Sequence, residues 1–209
     1  ADCHPDIVER FQKTGMGRSL YRPQSAPVIE DFTPKAATKT HPKMKVQYRA
    51  YIGKDGRWWQ EESAPGTDYR RRVEVRYIIG SGNHARSYLG IVNDELVELP
   101  LTWYSQRKIW DMSPGYEGEG HFRFFRTINP ECLFCHNRLT PHRPHTEAGY
   151  RWPLAEGISC ERCHGSGNQH VKMRIAGKRP PKGRPDPWIL DPARLAAPRA
   201  NQLCQQWHL

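Results

Sequence analysis

Six cysteines and ten histidines are the residues of this 209-residue chain whose spacing can do chemistry. Cys132-Leu133-Phe134-Cys135-His136 and Cys160-Glu161-Arg162-Cys163-His164 are two complete C-x-x-C-H motifs. In that spacing each cysteine can add across a vinyl group of one haem to form a thioether. The adjacent histidine then reaches the iron from the same short turn. Two C-x-x-C pairs about thirty residues apart can instead build a four-thiolate zinc site. Zinc makes no demand on the residue after the second cysteine, yet histidine stands there twice. The spacing therefore favours haem c.

The other two cysteines repeat the pattern in part. The chain opens Ala1-Asp2-Cys3-His4, the tail of such a motif, and closes Cys204-Gln205-Gln206-Trp207-His208, with Trp where the second cysteine belongs. We read both as haem sites, which gives about four haems in all. Cys3, Cys132, Cys135, Cys160, Cys163 and Cys204 are then the covalent attachments, and His4, His136, His164 and His208 the proximal iron ligands. The alternative for the ends is a pair of free thiols.

Composition agrees with a bulky cofactor. Hydrophobic residues make up 37%, and Gly and Pro number 17 and 18. Mean hydropathy is −0.83. Such a chain has little aliphatic core of its own, yet seven Trp, nine Tyr and six Phe argue against disorder. Porphyrin rings supply the missing apolar surface. The net charge of +10 raises the question of nucleic acid. No nucleic-acid-binding signature accompanies it, so we read the charge as a solvated face and a counterweight to anionic haem propionates. No apolar run is long enough to span a bilayer. No signal peptide is present, so an exported chain of this form is expected to be the mature one.

The chain resembles the multihaem c-type cytochromes of environmental bacteria that often precede tetratricopeptide repeats. The resemblance is carried by Cys3-His4 with Thr14-Gly-Met-Gly-Arg-Ser19, by Gly80-Ser-Gly-Asn-His84 with Ser87-Tyr-Leu89, and by Leu99-Pro-Leu-Thr-Trp-Tyr104. It continues through Trp110-Asp-Met-Ser-Pro-Gly-Tyr116, Cys132 to Asn137, Gly157-Ile-Ser-Cys-Glu-Arg-Cys-His-Gly165 and Cys204 to Leu209. Where such relatives have a cysteine, this chain has Trp207.

The resemblance also bears on the sixth ligand of each iron. Beyond the proximal set, six histidines remain: His41, His84, His121, His142, His145 and His170. His170 follows Cys163-His164 in a pattern that, in similar cytochromes, supplies a distal ligand to a different haem. His84 sits on a Gly-Ser-Gly turn inside a matched block, and His41 precedes a strand at a matched position. We expect His41, His84, His145 and His170 as distal ligands, with His142 close behind His145 and His121 in reserve. Met16 or Met112 in place of one histidine would raise that haem's potential.

The elements that must position these residues are legible in outline. Residues 5–12 suit a short helix. Val46, Tyr48, Ala50 and Ile52 alternate with polar residues, as do Val73, Val75, Tyr77 and Ile79, which predicts strands. Lys54-Asp55-Gly56 and Asn93-Asp94 read as hairpin turns. From Cys132 onward Pro, Gly and Arg dominate, and Lys178–Asp186 reads as an extended surface linker. The expected fold is therefore mostly irregular and low in secondary structure, with short helices at the haem motifs and one small antiparallel sheet. We read 1–209 as a single multihaem domain: a first haem segment over 1–44, a small β region over 45–104 and a haem-rich region of coil and helix over 105–209.

Function then divides between classes. An electron carrier between redox partners outside the cytoplasm, periplasmic or extracellular, saturates every iron with two histidines. A reductase of the nitrite or hydroxylamine type keeps one iron open. Six histidines for four distal positions favour the carrier. About 52 residues per haem leave little chain to cover the rings. Motifs at both ends also suit head-to-tail stacking into a homo-oligomer or filament.

Overall fold

The computed structural model describes residues 3–138 and 142–205. They divide into two compact units, Ala1–Gly157 and Ile158–Leu209.

In the first unit, helix α1 (Pro5–Gln12) follows Cys3-His4, with Pro5 at the first helical position, where its missing N–H costs nothing. Eleven strands follow among the described residues: β1 (Leu20–Tyr21), β2 (Thr38–Thr40), β3 (Gln47–Ile52), β4 (Trp58–Ser63), β5 (Arg70–Glu74), β6 (Tyr77–Ile79), β7 (Ala85–Val92), β8 (Glu95–Glu98), β9 (Leu101–Tyr104), β10 (Ile109–Met112) and β11 (Arg126–Thr127). One sheet runs β1-β6-β7-β8-β11, with β9 also pairing to β7 and β10 to β9. The other runs β2-β3-β4-β5. Every pairing is antiparallel.

This corrects the expectation of a mostly irregular fold with one small sheet over 45–104. Two forces overturn it. Averaged composition hides how strongly aromatic residues concentrate between 48 and 124. There Tyr48, Trp58, Tyr88, Trp103, Trp110, Tyr116 and Phe124 pack into one buried cluster, and large rings stabilise cores well. The short strands β1, β2, β10 and β11 also lie outside the predicted range, and strands of two to four residues carry too little alternation to be read. The two turns do form as the sequence predicts. Asn93 and Asp94 both take positive φ (51° and 65°) and join β7 to β8, as the tight hairpin requires. Gly56, at φ 76°, closes the turn between β3 and β4.

Polar groups join the two sheets. The buried Gln60 amide donates to the Leu101 carbonyl and accepts from the Leu101 N–H, both at 2.8 Å, so a side chain stands in for a missing strand partner. A second cluster holds Leu20, Tyr77, Leu89, Ile128, Leu133 and Tyr150. It lies under helix α2 (Pro130–His136), which carries the first complete motif.

The second unit is built differently. Helices α3 (Glu161–His164), α4 (Asn168–Ile175) and α5 (Ala197–Gln205) contain no buried residue. Among the described residues of this unit, Ile158 is the single buried hydrophobic side chain. No described helix of the chain is long and apolar enough to cross a membrane.

Candidate functional site

Helix α2 is prepared for chemistry by its flanks. Asn129 caps it by accepting from the Cys132 N–H at 3.2 Å, and Pro130 opens its first turn. Leu133, between the two cysteines, is 4% exposed and pins the helix to the second cluster. Asn137 ends the helix, and its side chain donates to the Ala155 carbonyl at 2.5 Å. With Leu133 turned inward, Cys132 is left exposed and Cys135 half-exposed.

Beneath these thiols the chain is drawn close. Ser19 Oγ lies 2.6 Å from the His136 carbonyl, and the Gly157 N–H donates to the Leu20 carbonyl at 2.7 Å. Gly157 has φ 64°, and a Cβ there would meet the Gly17 carbonyl at 2.2 Å, so only glycine permits the approach. The result is a cavity of about 660 Å³ in which Cys132, Cys135 and His136 face Ile79, Leu89 and His84. Strand β7 supplies Ala85, Ser87 and Leu89 to this wall, while the intervening Tyr88 enters the aromatic cluster. Period-two alternation separates the two roles.

Of the expected residues, then, His84 and the Cys132–His136 motif come together. Gln106 holds His84 Nδ1 at 2.7 Å, so Nε2 is the nitrogen outside that bond. The His136 Nδ1 is buried with no hydrogen-bond partner. Burial pushes the His136 pKa down and keeps the imidazole in its neutral, ligating form. A roomy cavity, apolar on one side, with two thiols and an orphaned imidazole at its edge, fits a covalently attached haem. Among the described residues no three His, Cys, Asp or Glu side chains converge on a point that could hold a bare metal ion.

In the second unit Cys160 precedes α3, and Gly165, at φ 70°, ends it after His164. His164 Nδ1 lies 2.9 Å from the Leu190 carbonyl, and His170 Nδ1 lies 2.8 Å from Asp186 Oδ2. Burial pushes the Cys163 thiol up, and Cys204 adds to the effect. None of the six cysteines forms a disulfide.

The remaining residues stand apart. Cys3 and His4 are exposed ahead of α1. His145 is exposed at φ 61°. His142 Nε2 is 3.0 Å from the Glu147 carbonyl, with its ring edge-on to Tyr150. His41 is buried with both nitrogens engaged: Nε2 at 2.8 Å from the Tyr116 carbonyl, and Nδ1 accepting from the Lys43 and Met44 N–H groups. The His121 ring packs 4.8 Å from His41, and its Nε2 is buried without a partner. His208 and Trp207 lie outside the described residues.

Sequence reasoning missed several supporting residues. Asn129-Pro130 ahead of the motif is a legible helix start. Leu133 carries no signal beyond its type. Asp186 was hidden inside a segment that composition marks as linker.

Residues 111–165, which contain both complete motifs, match the family model described as cytochrome c554 and c-prime. No curated protein matches the chain. Among solved structures, the crystal structure of the outer cell wall cytochrome OcwA aligns at 19% identity and a TM-score of 0.47, covering 88% of this chain. The chain spans 34% of that structure's length. Both complete attachment motifs thus fall inside the stretch that is similar to cytochrome c554 and c-prime, and one of them is set on a cavity that fits a covalently attached haem.

Proposed function

We propose that the chain is an electron carrier outside the cytoplasm, with about four haems each held between two histidines. The observation that carries the reading is the cavity between α2 and the Gly80–His84 turn, which a complete attachment motif and a spare histidine both line. When bound, haem c supplies a one-electron iron couple. The chain's own residues do the rest. Cys132 and Cys135 would tether the ring, and His136 and His84 would ligate its iron. Ile79, Leu89 and Ile128 keep water off it. Excluding water would limit the reorganisation that accompanies each electron transfer, and two histidine ligands would leave the iron no site for substrate, which separates a carrier from a reductase.

In the second unit His164 and His170 are the assigned ligands, and Cys3-His4 and Cys204-His208 are the sites toward the two ends. For the remaining distal positions His145 stays exposed and available. His41 would first have to give up its bond to the Tyr116 carbonyl, so the geometry supports its neighbour His121 in that place. A second unit with little core of its own among the described residues supports a homo-oligomer or haem-stacked filament that passes electrons between copies and to redox partner proteins. Intact mass spectrometry of the denatured protein tests the count, because thioether-bound haem survives unfolding. Four haem masses are expected. Two, with Cys3 and Cys204 alkylatable, would confine the cofactor to the complete motifs.

A further inference from the structure

The stretch from Asp186 to Leu190 grips both histidines of the second unit by the same atom. The Leu190 carbonyl lies 2.9 Å from His164 Nδ1, and Leu190 N–H donates back to the His164 carbonyl at 3.0 Å. Asp186 Oδ2 lies 2.8 Å from His170 Nδ1, and Arg174 binds the same oxygen. The other oxygen, Asp186 Oδ1, accepts from the Trp188 N–H at 2.9 Å, which fixes the carboxylate. Asp186 and His170 side chains are only 14% and 18% exposed, so the bond is largely sheltered from water.

The two grips differ in kind. A backbone carbonyl is a neutral acceptor, whereas a carboxylate is anionic and pulls harder on an N–H proton. A ring held at Nδ1 would ligate iron through Nε2. Carboxylate bonding to a ligating imidazole raises its basicity and fixes its orientation. A more basic ligand favours ferric over ferrous iron.

We infer that Asp186 is a positioning residue that sets the reduction potential of the haem ligated by His170, holding it below the haem ligated by His164. The inference rests on His170 being an iron ligand. It gives the pair a direction: electrons leave the His170 haem more readily than the His164 haem. Arg174 moderates the effect, since it shares the Asp186 oxygen.

The test uses the full haem-loaded chain. Asp186→Asn keeps the shape and the acceptor for the Trp188 N–H, but turns its NH2 toward His170 Nδ1, so it removes both the charge and the acceptor there. Midpoint potentials are read haem by haem in a redox titration, and the ferric EPR g-values report ligand strength. One haem is expected to become easier to reduce by about tenfold in its one-electron equilibrium, about 59 mV, with all haems still low-spin. Asp186→Glu, which restores the charge, is expected to recover most of the difference. A merely structural Asp186 would leave every potential unchanged in the Asn variant. His170→Ala separates the two ways to fail. If it turns one haem high-spin while Asp186→Asn shifts nothing, the tuning role is overturned and the ligand assignment stands. If every haem stays low-spin in His170→Ala, the ligand assignment falls and takes the inference with it.

Discussion

The two complete motifs have the same five-residue plan and opposite supports. Cys132–His136 sits on a helix with a cap, a proline start and a buried Leu133, above a hydrophobic cluster that one sheet supplies. Cys160–His164 sits on a single turn, with Glu and Arg between the cysteines, no side-chain cap and no buried residue. The first site is a cavity set on a packed scaffold. The second is held by hydrogen bonds to histidine nitrogens, and haem itself must supply most of the apolar surface. The same sequence signature therefore says that haem is attached and says nothing about what holds the site together when it is not.

The largest effect expected from this contrast comes from removing attachment. In a Cys160→Ser, Cys163→Ser variant, backbone amides over 158–205 are expected to lose hydrogen-exchange protection. Strands β3 to β10 of the first unit should keep theirs. Protection retained over 158–205 would mean that the second unit has a core of its own.

A smaller effect is expected from the anchor of the first motif. Leu133→Ala leaves a void under α2, and such a change costs about 2–5 kcal/mol. Asn129→Ala, which removes the cap, should cost about 1 kcal/mol. Denaturant unfolding of the first unit checks both. Replacing Glu161, the residue equivalent to Leu133 in the second motif, with Ala should cost far less, because its side chain is exposed.

How much of this was legible in the sequence follows from the same contrast. Haem attachment was legible because thioether chemistry fixes the spacing of Cys and His. The Asn93-Asp94 hairpin was legible because two positive φ angles demand those residue types. The two-sheet architecture was not. It depends on remote pairings such as Leu20 with Ile79 and Arg126 with Glu98, which leave no local pattern. The meeting of His84 with Cys132–His136 depends on those same pairings; the resemblance marked His84 as a distal ligand without saying which motif it would meet. His41 shows the reverse: its position before a strand suggested a ligand, and the fold gives both its nitrogens to backbone.

A subtler effect comes from Glu98, which lines the first cavity and meets Arg126 at 2.9 Å. Burial pushes its pKa up to about 7, against an opposing pull from Arg126. A carboxyl whose folded pKa exceeds its unfolded value of 4.5 loses stability as pH rises, because the unfolded chain releases the proton first. The first unit is therefore expected to become less stable between about pH 4.5 and 7. Glu98→Gln should flatten that slope, as thermal unfolding across the range would show. An unchanged slope would place the titration elsewhere.

The central claim is that the first cavity seats a haem between His136 and His84. EPR of the oxidised His84→Ala protein tests it most directly. The wild type is expected to show only low-spin ferric haem. The variant should gain a high-spin signal equal to one haem, with that haem still attached to the Cys132–Cys135 peptide. A variant spectrum identical to wild type, with haem in place on that peptide, would contradict the account.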